Sequence, residues 1–155
     1  MDTPSVGMCG ADVPAGQECN GLANLGAAVT PICKTGTAPT GTGGPIADGT
    51  YVLTSQDKYG STCSSALALS ETLMIAGDCV QLVLGDILAG TGSVRLTTQG
   101  NAIMFTRTCL HIDTDGAVLK DDVAMQTYTA TSTTFTLFET NATTGVTNVS
   151  VFTRR

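Results

Sequence analysis

The chain has 155 residues, 7 Lys and Arg against 13 Asp and Glu, and a net charge of −6, which is the length of one ordinary domain with an acidic balance. With no basic run, that balance speaks against docking on nucleic-acid phosphates or anionic lipid, and no apolar stretch approaches the roughly 18 residues that span a bilayer. Cys9, Cys19, Cys33, Cys63, Cys79 and Cys109 show no Cys-x-x-Cys spacing and stand beside a single histidine, so they read as three disulfides rather than a zinc site. Disulfides imply an oxidising compartment: secreted, periplasmic or cell-surface.

Residues 1–46 read as an irregular, disulfide-stapled extension, since they hold three cysteines and all five prolines, Pro4, Pro14, Pro31, Pro39 and Pro45. Met1-Asp2-Thr3-Pro4 reads as a start placed on a mature exported sequence. The piece from Gly16 to Leu25 admits one or two helical turns, and Thr35 to Pro45, rich in Gly, Thr and Pro, is linker-like.

Residues 47–155 form the second unit, in which short runs of Val, Ile, Thr, Leu and aromatics alternate with Gly, Asn and Asp turns. Eight strands are predicted, at about 49–57, 66–75, 79–86, 93–99, 102–109, 123–130, 133–140 and 145–153. Short connections favour an antiparallel meander, and eight such strands close into an up-and-down barrel that holds one small ligand or is filled by its own side chains. A two-sheet sandwich is the rival architecture.

Apolar residues fall on every second position, which assigns the core to Tyr51, Leu53, Leu67, Leu69, Leu73, Ile75, Val80, Leu82, Leu84, Val94, Leu96, Ile103, Phe105, Val123, Met125, Phe135, Leu137, Val149 and Val151. The opposite face, with Thr50, Thr54, Thr72, Gln81, Arg95, Thr97, Thr106, Gln126, Thr134, Thr136 and Ser150, is expected to be a solvated outer wall.

Gly49-Thr50-Tyr51, opening the first strand, resembles the Gly-x-Trp motif of lipocalins and related calycins. In that family the aromatic packs at the closed end of an eight-stranded barrel beneath an arginine from the last strand. The resemblance implies that Arg154 or Arg155 stacks on Tyr51, and it covers residues 48–155. Tyr replaces Trp here, and no C-terminal helix follows the last strand, so the chain is more similar to small lipocalin-like domains of exported bacterial proteins.

Four residues are candidate ligand contacts: Tyr59, Glu71, Arg107 and His111. Alternation puts Glu71 and Arg107 inside, as a polar anchor in an apolar cup; the alternative is a bulge that turns Glu71 outward, with Arg107 at the rim. His111 is the single side chain with an ordinary pKa near neutrality; Ser61, Ser64 and Ser65 are candidate neighbours across the mouth, yet no Gly-x-Ser-x-Gly elbow is present and the cysteines read as oxidised. His111-Ile112-Asp113-Thr114-Asp115-Gly116, followed by Asp122, nearly matches a calcium loop, with Asp113, Asp115 and Asp122 as ligands. The histidine in the first ligand place damages that match, and the other reading is an acidic turn.

Three functions remain open at this level. The first is an exported module that binds a small, partly apolar molecule; the second is a structural or interaction domain of the cell surface with a filled barrel, favoured by the lack of Trp and the scarcity of aromatics. The third is an enzyme acting at the barrel mouth. The meander also predicts the disulfides. The loops at 58–65 and 110–122 share one end, which pairs Cys63 with Cys109; Cys79 lies at the other end with Cys33, leaving Cys9 with Cys19.

Overall fold

The computed structural model describes residues 9–14, 16–63, 67–86, 89–112 and 123–155, with the backbone alone at 123–125. Among the described residues no helix is long and apolar enough to cross a membrane. The described residues form nine strands in chain order: β1 Ile32–Lys34, β2 Gly49–Tyr59, β3 Glu71–Ala76, β4 Cys79–Leu84, β5 Gly90–Gln99, β6 Ala102–Ile112, β7 Val123–Ala130, β8 Thr134–Asn141 and β9 Thr147–Arg154. From β2 to β9 each strand pairs antiparallel with the next, and β9 returns to β2 between Tyr51↔Arg154 and Tyr59↔Thr147. The result is the closed eight-stranded barrel that the alternation predicts, and closure removes the sheet edges. The additional strand β1 comes from the extension and lies parallel to the end of β2, at Asp57, Lys58 and Tyr59.

The base of the barrel is the end that holds the β3–β4, β5–β6 and β7–β8 turns; the mouth is the other. At the base, Tyr51, Tyr128, Phe135 and Phe152 are all nearly fully buried, and Phe135 lies tilted between the Tyr128 and Phe152 rings at centroid distances of 6.3 and 6.0 Å. The Tyr51 hydroxyl donates to the Ala47 carbonyl at 2.6 Å. Arg154 reaches the Gly-x-Tyr motif through its glycine: a Cβ on Gly49 would stand 2.6 Å from Arg154 Nε.

The extension wraps the outside of this barrel. Near the base Cys9 bonds to Cys79, and the Thr108 hydroxyl donates to the Cys9 carbonyl. The chain then climbs to the mouth end, where Cys19 bonds to Cys109, and crosses β4 and β3 through Asn20 and Asn24. Cys33 bonds to Cys63 beside the end of β2. All three predicted pairings are therefore corrected. The prediction kept Cys9 and Cys19 together in a local loop, whereas the extension is spread over the barrel and each of its cysteines meets the wall it crosses.

Two further expectations for the extension change for the same reason. Gly16 to Leu25 is not helical, and two of its backbone N–H groups bond the barrel: Cys19 N donates to Thr91 Oγ1 and Leu25 N to Thr72 Oγ1, both at 2.9 Å. The linker-like run seals a seam. Among the described residues β6 meets β7 only at Ala102↔Thr127, and there Gly43 N donates to Tyr128 O at 2.7 Å while Asn101 Nδ2 donates to Gly41 O at 2.8 Å. A Cβ at Gly41 would overlap the Tyr128 backbone, so the glycine that suggests flexibility serves close approach.

The outer wall is accordingly not all solvated. Thr72, Ser93, Thr91, Ser70 and Val52 face outward yet are buried, and the extension supplies partners for Thr72, Thr91 and Ser70. Leu67, assigned to the core, is 66% exposed because β3 begins only at Glu71. The facing of β9 is the reverse of the prediction. Phe135↔Phe152 and Leu137↔Ser150 put Phe152 and Ser150 inward, and Val149 packs on the outer face level with Phe138. One aromatic seated against Phe135 outweighs two valines. Gln126 also turns inward, in register with Glu139, after a bulge between Val123 and Met125.

A candidate ligand cavity inside the barrel

Inside the barrel two chambers that share part of their lining lie one above the other. The base chamber, about 180 Å³, is walled by Leu73, Ile75, Val80 and Phe135. The chamber towards the mouth, about 400 Å³, adds Gln56, Leu69, Arg107, Gln126 and Ser150. Both are bordered by a collar that includes Glu71, Leu82, Phe105, Leu137 and Glu139.

Glu71 takes the inward alternative. The β3–β4 ladder runs from Glu71↔Leu84 to Ala76↔Cys79 without a bulge, so Glu71 shares a face with Leu73 and Ile75. Its neighbours are pinned on the other side. Asn24 Nδ2 donates to Ser70 Oγ at 2.7 Å, Ser70 Oγ donates to Asp86 at 2.9 Å, and Thr72 Oγ1 donates to Asn24 Oδ1 at 3.0 Å. With 70 and 72 anchored outside, 71 must point in.

The Glu71 carboxyl is enclosed by protein, although it keeps some accessible area because it borders the cavity. Burial pushes its pKa up to about 8, and the Glu139 carboxylate contributes in the same direction. Burial also raises Glu139 above the ordinary carboxylate range. Among the described residues neither carboxyl makes a hydrogen bond or an ion pair. A third polar group is orphaned nearby: Gln56 Nε2 donates to Ser150 Oγ at 3.0 Å, and Gln56 Oε1 is buried without a partner.

Arg107 also lines the cavity, but only its mouthward chamber, and it is solvent-exposed. The other two predicted contacts are elsewhere, and a bulge accounts for each. In β2 the register passes from Leu53↔Phe152 to Ser55↔Val151, so Thr54 is an extra residue and the inward series changes from Tyr51, Leu53 to Gln56, Lys58. Tyr59 thereby turns outward, into a cleft of about 310 Å³ that it lines with Pro39, Phe138, Thr140 and Thr147. In β6 the register passes from Val94↔Arg107 to Ser93↔Cys109, so Thr108 is extra and Leu110 takes the inward place. Cys109 and His111 turn outward. His111 Nε2 lies 3.5 Å from Glu18 Oε1, and Glu18 Oε2 accepts from Thr91 Oγ1 at 2.7 Å.

Asp113, Asp115 and Asp122, and with them the calcium expectation, lie outside the described residues, as do Ser64 and Ser65. Within the described residues no group of three or more His, Cys, Asp and Glu is gathered where a metal ion would sit. Sequence reasoning missed Glu139, Gln56, Gln126 and Ser150. Glu139 had a legible signal, since it continues the inward series Phe135, Leu137; the other three follow from bulges and from the facing of β9. Comparison of the chain with protein-family models, with curated proteins and with solved structures gives no match.

Proposed function

We propose that this protein is an exported, lipocalin-like barrel that binds a small, partly apolar molecule. One observation carries the reading: the barrel keeps an apolar base chamber and, above it, a wider chamber at the mouth, with Glu71 and Glu139 bordering both. Ligand cups have this composition, mostly apolar walls with a few convergent polar groups that set orientation. Its rival, a barrel filled by its own side chains, provides no such space. Three disulfides, of sequence separation 70, 90 and 30, are consistent with an oxidising, extracellular compartment and support placement in the medium, the periplasm or at the cell surface.

The test is a neutral apolar dye, N-phenyl-1-naphthylamine, titrated into the disulfide-bonded protein with fluorescence as the readout. Saturable enhancement is expected, and Leu82→Trp, which fills the collar, should weaken it about tenfold or more while Met104→Ala, on an exposed outer position, leaves it unchanged. Dye binding that Leu82→Trp does not weaken, or no saturable binding at all, overturns the proposal.

A further inference from the structure

Resting on the reading of the cavity as a ligand cup, we propose that its ligand is a small amphipathic amine, held with its ammonium between Glu71 and Glu139 and its hydrocarbon in the base chamber. Buried ionisable groups are ordinarily paired, because an uncompensated charge in a low-dielectric site is disfavoured. Here two carboxyls from β3 and β8 border the same space and have no hydrogen bond or ion pair among the described residues. The third orphan, Gln56 Oε1, is likewise an acceptor. Among the described residues no cation lines the base chamber and no donor bonds either carboxyl. An alkylammonium supplies three N–H donors and one positive charge, and its tail matches the Leu73, Ile75, Val80 and Phe135 walls below.

The positions of the cations agree with this orientation. Arg107 on β6 borders the mouthward chamber and not the base chamber. On β2, Lys58 is in register with Asn148, as is Glu139 on β8, so it belongs to the inward series one step mouthward of Gln56. The groups that reach the collar from β7 and β9, Gln126 and Ser150, do not titrate. A carboxylate ligand would meet Arg107 at the mouth and then two carboxyls below it, whereas an ammonium that passes the mouth reaches the carboxyls with its tail in apolar surroundings. Proton linkage follows. Burial and Glu139 keep Glu71 largely protonated at neutral pH, so binding a cation must release a proton from the pair.

The test is isothermal titration of the intact, disulfide-bonded chain with hexylamine, hexanol and hexanoate. The expected result is hexylamine at least about tenfold tighter than the other two, with its affinity rising from about pH 6 to 8 while hexanol binding stays flat. Glu71→Gln and Glu139→Gln should each bring hexylamine to within about threefold of hexanol. Undiminished hexanol binding by these variants shows that they are folded. Hexanol as tight as hexylamine, a hexanoate preference, or an amine preference that survives both substitutions overturns the proposal. If the neutral dye binds while the amine has no advantage, the amine inference fails and the cup reading stands; if neither binds, both fail.

Discussion

Ser70 and Thr72 lie on one side of β3 and Glu71 on the other, and the two sides treat polar groups in opposite ways. Outside, the Thr72 hydroxyl is fully buried and makes two hydrogen bonds to the extension, one donated and one accepted. Inside, the Glu71 carboxyl is enclosed and makes none among the described residues. On the outer face, extension, disulfides and wall therefore form a bonded layer in which Ser93 Oγ is the exception among the described residues, while the inner face is left with acceptors unsatisfied. Among the described residues the outward hydroxyls of Ser70, Thr72 and Thr91 are bonded to the extension, whereas the inward carboxyls of Glu71 and Glu139 are not bonded to the protein.

The largest effect expected from this contrast concerns the staples. Replacing Cys19 and Cys109 with serine releases a loop of sequence separation 90 and should lower stability by about 4–5 kcal/mol, against about 3–4 kcal/mol for the Cys33–Cys63 pair at separation 30. Urea unfolding checks the order. Equal losses, or a larger loss at Cys33–Cys63, would mean that the extension is not held as one layer.

An opposite sign is expected on the inner face. The folded-state pKa of Glu71, about 8, stands above its ordinary value of 4.5, so the folded state binds more protons than the unfolded state between those pH values and stability falls as pH rises through that window. Glu71→Gln removes this loss and should stabilise the protein at pH 7–8 by about 3–4 kcal/mol, with the gain vanishing below about pH 4.5. Unfolding of wild type and variant at several pH values measures it; a variant less stable than wild type at pH 8 would show that Glu71 is satisfied after all.

The smallest effect comes from the adjacent residue on the other face. Thr72→Val keeps the shape and removes a hydroxyl that links the Leu25 N–H and Asn24 Oδ1, which should cost about 1–2 kcal/mol. Thermal unfolding reads it, and a neutral result would indicate that the outer layer is less tightly bonded than its distances imply. Neighbouring positions thus carry substitutions of opposite sign, one conservative change stabilising and the other destabilising.

Alternation alone was enough to place eight strands and the core residues of β3, β4 and β5, because these follow from a two-residue period that local sequence carries. For Glu71 and Arg107 it left an inward pair and a bulge with a rim arginine both open, and the unbulged β3–β4 ladder turns Glu71 inward while Arg107 is exposed at the mouth. Three single-residue bulges fall outside that period. The one at Thr108 turned Cys109 and His111 outward, the one at Thr54 did the same to Tyr59, and the one within residues 123–125 brought Gln126 in beside Glu139. A bulge depends on how two strands distant in sequence share twist and register, so no residue on one strand announces it.

Cysteine content by itself determined that disulfides form; their partners were decided by where the extension crosses the wall, which is a property of the folded surface. The same division holds for the cavity. The two-residue period carries eight strands with an apolar face and acidic residues among them, and leaves barrel and sandwich as rivals. That Glu71 and Glu139, 68 positions apart, border one space is a property of the closed fold, since it requires β3 and β8 to be brought around the barrel by the pairing of β2 with β9.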